Sequence, residues 1–531
     1  MSNKHFVLFL ILISVFGFYL RTKNIATNPP HLGNDEISIA FDSYSIRTVG
    51  KDEHGRSWPL SFMSHRSYKA PLYAYLNTPF NYIFGNNEYG IRMLSAISGT
   101  LLILIIGLLG KTSSNTSIGI LSAIIIAITP KAIMASRIGY EANLALTIMS
   151  FGVLAMIYYR FAKKTIWLIV AGVFLGLSVW GYHTQWGLAP MLAFCLPMLF
   201  RPKIKFTKWW PTWILLVVIV FPIYLDFYQT QLSDSHNRAS SQIWYQDGQL
   251  NDYLKNSPDN KVKKIAVLLI SPINNYIEHF SFDTLFGDGL GMFERTSPLE
   301  FGWFLLPCLP LLIVGLIKVN TIFGDNKNWL LLWMALSPII PATTYGGVAA
   351  VRNLSIMVPL SIITAGGWWY LKKHKPIIFL LTSSLLLLHL LIFLPTIFVH
   401  FQKSSGNYFQ FGYKQSWEKI KPVVKNYQHV IVESRFGRFG QFVGVPHLYF
   451  GYFGAFPVEA MQSKTNENGR MKIDKFEFGH VDWMVEEIQP KSIYVVSTIN
   501  PIVANAIGKL NQIEEIITPD NQSQFLIYAT K

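Results

Sequence analysis

Long apolar runs recur along this chain, and they constrain its fold more than any other feature. They lie near residues 5–20, 90–110, 117–134, 143–160, 166–182, 187–200, 209–228, 299–318, 328–345, 352–371 and 376–399. A helix of roughly 17 to 25 apolar residues crosses a hydrocarbon core of about 30 Å, and helices satisfy their own backbone groups there. One or two such runs could be buried core helices of a soluble protein, but about eleven cannot. The composition agrees: 51% of the 531 residues are hydrophobic and only 14% are charged. The expectation is an all-α polytopic membrane protein with about eleven transmembrane helices.

The net charge of +15 could suggest nucleic acid, yet the basic residues sit in short connectors between apolar runs. These are Lys111, then Arg160, Lys163 and Lys164, then Arg201, Lys203, Lys205 and Lys208, then Lys318 and Lys327, then Lys372, Lys373 and Lys375. By the positive-inside rule such connectors face the cytoplasm. The N-terminus is then cytoplasmic, and an odd number of crossings places the C-terminus outside. The chain is therefore expected as a multi-pass protein of the plasma or inner membrane, with membrane lipids and no nucleic acid as partners. The first run, His5 to Leu20, has the length of a signal-peptide core, but no small-residue cleavage site follows before Arg21 and Lys23, so it reads as a retained helix. Cys195 and Cys308 are the only cysteines, both in apolar runs, which argues against a disulfide framework or a thiolate metal site.

Three outward segments exceed simple turns: residues 21–89, residues 229–298 and the tail from about 400 to 531. Function concentrates in such connections. The first contains KAPLYAYLNTPFNYIFG, broken by Pro71 and Pro79, which suits a helix at the membrane interface. In the tail, HVIVES, SIYVVST and QFLIYAT read as strands, while FGHVDWMVEEIQ and PIVANAIGKLNQI read as helices. The tail is thus expected to be a small α/β domain on the outer face, and the division is 1–399 for the membrane domain and 400–531 for the tail.

Charged groups near a membrane interior carry the most information about function. Asp35 and Glu36 follow the first run. A carboxylate beside an acceptor hydroxyl can act as general base, while the same pair can be a solvated acidic turn or a helix start capped by Asn34 or Asp35. Arg137 and Glu141, four apart in ASRIGYEAN, could form an intrahelical ion pair or meet a lipid phosphate at the membrane surface. Lys69, Arg92 and Arg352 could add positive charge there, with snorkelling as the alternative for each. His236 and Arg238, and then Asp288, Glu294 and Arg295, lie in the long outer loop and could cover a site. His183 and Gln185 cap the fifth run and could touch substrate. There is no Walker loop, zinc-type Cys/His spacing, nucleophile elbow or dinucleotide fingerprint.

Taken together, the acidic pair, the segment Lys69 to Tyr73, FGNNEYGIRMLSAISG, and Arg137 with Glu141 resemble the protein O-mannosyltransferase and aminoarabinose transferase group. The likeness is specific across about residues 15–190, looser through SPIIPATTYGGVAAVRNLSIMVPL and absent from the tail. It implies the GT-C membrane fold and an inverting glycosyltransferase that uses a polyprenyl- or dolichyl-phosphate sugar on the outer face. It further implies Asp35 as catalytic base with Glu36 beside it, and Lys69 and Arg137 on the donor phosphate, where Arg352 is a third candidate ligand. Glu141, where many relatives carry Asp, would orient the acceptor or Arg137. Arg92, His183 and Arg238 are candidate substrate contacts. No cofactor is required and a divalent metal is optional, because cations on a phosphate leaving group lower the barrier by themselves. The acceptor could be a protein, a lipid or a glycan. The rival expectation is a polytopic lipid or solute transporter or flippase, against which the charges lie at helix ends rather than at the bilayer centre and no inverted repeat is apparent.

Overall fold

The computed structural model describes residues 2–64, 67–200, 204–231, 261–287, 301–344, 348, 350–436, 442–467, 469–500 and 508–531. Its contacts divide the chain into two compact units. The first comprises Met1–Lys23, Leu60–Tyr73 and Leu94–Thr396; the second comprises Asn24–Pro59, Ala74–Met93 and Ile397–Lys531. Two early segments belong with the tail, a long-range association that a division along the sequence does not detect.

The first unit is helical and apolar. Among the described residues, six helices are long and apolar enough to cross a membrane: Asn3–Thr22, Glu88–Ser113, Glu141–Ala162, Phe206–Thr230, Val351–His374 and Pro376–Ser404. Two bent pairs, Thr116–Ile128 with Pro130–Arg137 (60°) and Cys308–Ile317 with Val319–Ala342 (77°), raise the number to eight if each is one crossing. Ile166–Val179 and Gln185–Phe200 are shorter apolar helices. The first bend has a local cause. Pro130 opens its helix and leaves Thr129 extended, at φ −66° and ψ 119°, as the residue before a proline prefers. The run expected at 299–318 is helical only from Cys308, directly after Pro307.

Numbered in chain order, α1 is Asn3–Thr22, α2 Asn34–Val49, α3 Leu72–Phe84, α4 Glu88–Ser113, α5 Thr116–Ile128, α6 Pro130–Arg137, α7 Glu141–Ala162, α8 Ile166–Val179, α9 Gln185–Phe200 and α10 Trp210–Asp226. Close helix approach in the first unit rests on small residues, as is usual where lipid removes the hydrophobic drive between helices. A Cβ on Gly172 would lie 2.7 Å from the Thr212 carbonyl oxygen, and one on Gly176 2.8 Å from Ile219 Cβ. These two glycines of α8, one turn apart, let α10 approach until Thr212 Oγ1 donates to Leu168 O at 2.9 Å and Trp180 Nε1 donates to Ile219 O at 2.8 Å. Polar side chains join α4 to α7 in the same way: Asn143 Nδ2 donates to Ser95 O at 2.9 Å and Thr147 Oγ1 to Ser98 O at 3.0 Å.

The second unit contains a seven-stranded mixed sheet. Its strands are β3 (His429–Glu433), β6 (Thr465–Glu467), β7 (Arg470–Ile473), β8 (Phe476–Gly479), β9 (Ser492–Ser497), β10 (Leu510–Ile517) and β11 (Ser523–Thr530), in the order β10-β11-β9-β3-β8-β7-β6. Short hairpins elsewhere are β1 (Phe62–Ser64) with β2 (Ser67–Lys69), in the first unit, and β4 (Arg435–Phe436) with β5 (Phe442–Val443). Only β3 runs parallel to its neighbours, β8 and β9. The interior strand β9 is buried at every position, as suits a strand covered on both faces. The edge strands β6 and β10 instead carry Glu467, Glu514 and Glu515, charges that discourage edge-to-edge pairing. One face packs aromatics, with Phe450 against Phe478 at 5.5 Å and Trp417 against Phe476 at 6.0 Å. The other buries Ile431, Val481, Trp483, Tyr494, Val496 and Leu510.

The three strands expected in the tail form, and the first of its two expected helices does not. FGHVDWMVEEIQ continues β8 and then runs without helix, because Val481 and Trp483, two apart, are buried while Met484 and Val485 are exposed. Of PIVANAIGKLNQI, residues 501–507 lie outside the described residues, and Leu510 onward is strand β10.

Replacing Gly176 by Val inserts side-chain carbons against Ile219. Overpacking of this kind costs about 1–3 kcal/mol, so the detergent-solubilised variant should unfold at a lower temperature than the parent. An unchanged midpoint would contradict the close α8–α10 approach.

Candidate functional site

Helix α2 of the second unit carries the acidic pair, and its first turn shows how the two carboxylates differ. Gly33 is the N-cap, so Asn34, Asp35 and Glu36 occupy the first three helical positions. Glu36 turns back, its Oε2 accepting from the Gly33 backbone N–H at 2.9 Å, half of a capping box. It is fully buried, as is its partner Arg92. Arg92 Nε donates to Glu36 Oε1 at 2.9 Å and Nη2 to Glu36 Oε2 at 3.2 Å. Nη1 donates to Ile25 O at 2.8 Å and Pro29 O at 2.9 Å, and Nη2 also donates to His31 O at 2.6 Å.

A guanidinium has five N–H donors, and all five are used here. Every N–H of Arg92 is thus engaged within the protein. Both oxygens of Glu36 accept from protein donors in this buried pair, which ties the start of α2 to Arg92. Asp35, one residue earlier, is exposed. Anionic groups are favoured in the first turn of a helix, and the turn that presents Asp35 is held rigidly from beneath.

The same unit holds a second ion pair, Lys414 Nζ to Glu88 Oε1 at 2.8 Å and Oε2 at 3.0 Å, with Lys414 over the Phe453 ring at 4.8 Å. His31 lies fully buried between these groups, its Nδ1 3.9 Å from Glu88 Oε1. Burial first, and then Lys414 and Arg92, hold its pKa well below the usual imidazole value, so the ring is neutral. Tyr449 Oη donates to Leu32 O at 2.7 Å, and Tyr452 Oη to Asn81 Oδ1 at 3.2 Å. These bonds are why residues 24–59 and 74–93 pack with the tail.

In the first unit, Arg137 ends α6 and is fully buried. Its Nη1 donates to Leu20 O at 3.0 Å and its Nη2 to Lys23 O at 2.8 Å, which satisfies carbonyls at the C-terminus of α1 that have no intrahelical donor. Glu141 opens α7, and Ile138 and Tyr140 between them are extended. The two residues therefore sit on different helices, and the intrahelical i,i+4 pair does not exist. Glu141 is buried at a helix N-terminus, where the dipole favours a carboxylate. Lys69, also buried, closes strand β2 opposite Phe62. Arg352 Nη1 donates to Thr344 Oγ1 at 2.8 Å. His183 lies in the turn between α8 and α9, its ring 5.1 Å from that of Trp186. Arg238, His236, Asp288, Glu294 and Arg295 lie outside the described residues.

Sequence reasoning passed over Arg21. From the last turn of α1 its Nε donates to Ser136 Oγ at 3.2 Å, while Nη1 and Nη2 donate to Ala127 O and Ile126 O, both at 3.3 Å, at the end of α5. Arg21 of α1 thus caps α5, and Arg137 of α6 caps α1. Gly99 leaves room for this, since a Cβ there would lie 1.9 Å from Ser136 Oγ and 3.1 Å from Arg21 Nε. The available signal was an arginine at the very end of an apolar run, where snorkelling is the ordinary reading.

Three comparisons with known proteins bear on this arrangement. The profile of the dolichyl-phosphate-mannose-protein mannosyltransferase family matches residues 68–225. A search of curated protein sequences finds no match. Among solved structures, ArnT from Cupriavidus metallidurans bound to undecaprenyl phosphate superposes with a TM-score of 0.59 at 11% identity, over 100% of this chain and 98% of that one. The same protein in the apo state gives 0.53 at 12% identity, over 98% and 97%. At such identities the likeness is one of fold. The chain is a multi-pass integral membrane protein with the GT-C fold, and the resemblance to the protein O-mannosyltransferase and aminoarabinose transferase group read from its sequence is borne out.

Proposed function

We propose that the chain is an inverting glycosyltransferase that moves a sugar from a polyprenyl- or dolichyl-phosphate carrier to a hydroxyl acceptor on the outer face of the membrane. The observation that carries this reading is the fold likeness over the whole length to a transferase solved with undecaprenyl phosphate, supported by the mannosyltransferase family match at residues 68–225.

In this reading Asp35 takes the proton of the acceptor hydroxyl as its oxygen attacks the anomeric carbon. The bond from that carbon to the phosphate oxygen breaks, and the lipid phosphate leaves with the electron pair. Lys69 and Arg137, with Arg352 as a further cation, neutralise the leaving phosphate, and preorganised charge of this kind is commonly the largest catalytic contribution. No divalent metal is required in the scheme. Glu141 orients the acceptor or Arg137, and His183 contacts substrate. Glu36 and Arg92 touch no substrate; they hold the turn from which Asp35 projects. The positive connectors support a cytoplasmic N-terminus and an outer C-terminus in this reading.

Two substitutions separate these roles in purified protein supplied with labelled polyprenyl-phosphate sugars and membrane acceptors. Asp35→Asn keeps the shape of an exposed side chain, so the unfolding temperature should stay within about a degree while transfer falls on the order of a hundredfold or more. Near-normal transfer by Asp35→Asn would overturn the assignment of the base.

Glu36→Gln strands the buried Arg92 charge, and breaking such a pair costs about 3–5 kcal/mol. That variant should unfold well below the parent, with residual transfer following the folded fraction. A Glu36→Gln protein of unchanged stability and no transfer would instead make Glu36 catalytic.

A further inference from the structure

The sheet of the second unit carries a site that the transferase reading does not use. Three parallel strands, β9-β3-β8, form its centre, with β3 first in the chain and its parallel partners on either side. The residues at the carboxyl ends of these three strands converge on one carboxylate. Glu433, fully buried, ends β3. His480 follows β8, with Nδ1 3.1 Å from Glu433 Oε2, and Asn500 follows β9, with Nδ2 donating to the same oxygen at 3.0 Å. The backbone N–H of Val481 donates to it too, at 3.0 Å. A buried carboxylate that holds one nitrogen of an imidazole fixes the ring and directs the other nitrogen outward.

His480 also lines a pocket of about 490 Å³, within the size range of small-molecule sites. The pocket runs over the face formed by His429, Glu477 and Arg470 and under the segment from Asp482 to Gln489. Val485 is its single apolar lining residue, so a lipid chain or an apolar peptide anchor has nothing to meet there. Five carboxylates face two fixed cations in the lining, on a chain whose net charge is +15. Phosphates and uronic acids are therefore repelled.

Nor is the pocket simply a sink for a basic peptide. Arg470 Nη1 donates to Glu486 Oε1 at 3.1 Å and lies 3.7 Å from Glu477, and Lys472 Nζ donates to Glu467 at 3.0 Å. The two cations thus compensate two of the five carboxylates, and the pocket keeps a net negative charge. What remains is a rigid ring of acceptors and donors suited to a ligand with many hydroxyl groups.

We propose that this pocket binds a carbohydrate, uncharged or cationic, with His480 positioned by Glu433 as one of its hydrogen-bonding residues. The site stands apart from the transferase reading, since it is defined within residues 429–500 and needs no donor lipid. Without an aromatic platform in the lining, affinity for a single short glycan should be on the order of millimolar.

The test is saturation-transfer NMR on the full chain in detergent with no donor lipid present. Its probes are the neutral trisaccharide chitotriose, a glucosamine trimer, trigalacturonate and trilysine. Chitotriose should bind, the glucosamine trimer at least as well, and trigalacturonate not at all. His480→Ala and Glu487→Gln should each weaken chitotriose about fivefold to tenfold, the worth of one hydrogen bond, and Glu487→Gln, at an exposed position, should leave the unfolding temperature unchanged. Failure of both saccharides to bind would overturn the proposal, as would binding indifferent to both variants. Binding of trilysine alone would also overturn it, making the pocket a basic-peptide site.

Discussion

The start of helix α2 depends on one buried interaction, the Arg92–Glu36 pair. Two charges withdrawn from water are tolerated only where hydrogen bonds replace the lost hydration, and here the replacement is complete. Every N–H of Arg92 has an acceptor, and both oxygens of Glu36 have donors. Through the carbonyls of Ile25, Pro29 and His31 the guanidinium also fixes the chain that leads into the helix. An exposed side chain on a loosely held connection would sample many positions. Asp35, on the first turn of a helix anchored by its neighbour, is held in few, and catalysis by a positioned group depends on such restriction.

The helical unit applies the same principle at the ends of its helices. Where a helix ends inside protein or membrane, its last carbonyls lack donors. Arg21 and Arg137 supply them, each from a neighbouring helix, and each adds a positive charge at a negative helix end. The resulting chain of contacts links the ends of α1, α5 and α6 to one another. Arg137, which meets the donor phosphate in the proposed reaction, is thus also anchored to backbone oxygens, and this gives it a fixed direction from which to act.

How much of this was legible in the sequence depends on the range of the forces involved. The long helices were legible because about twenty consecutive apolar residues have few alternatives in a bilayer. The strands of the tail were legible because β3, β9 and β11 are runs of branched and aromatic residues. The segment after β8 was misread because Val481, Met484 and Val485 fall at helical spacing, while Val481 and Trp483 fall at extended spacing, and the burial of the latter pair decides. The acidic pair was found, but not the division of labour within it. Adjacent carboxylates look alike until Arg92, 56 residues further on, is seen to take one and leave the other. Arg92 itself was flagged for its charge, and only its full set of acceptors reveals that it holds structure.

The central claim, a single displacement assisted by Asp35, has a stereochemical consequence. The most direct test is the anomeric configuration of the first product formed from a polyprenyl-phosphate sugar of known configuration, read by proton NMR from the coupling and shift of the anomeric proton. The account predicts inversion at that carbon. Retention would require a covalent intermediate or another route, and would contradict it.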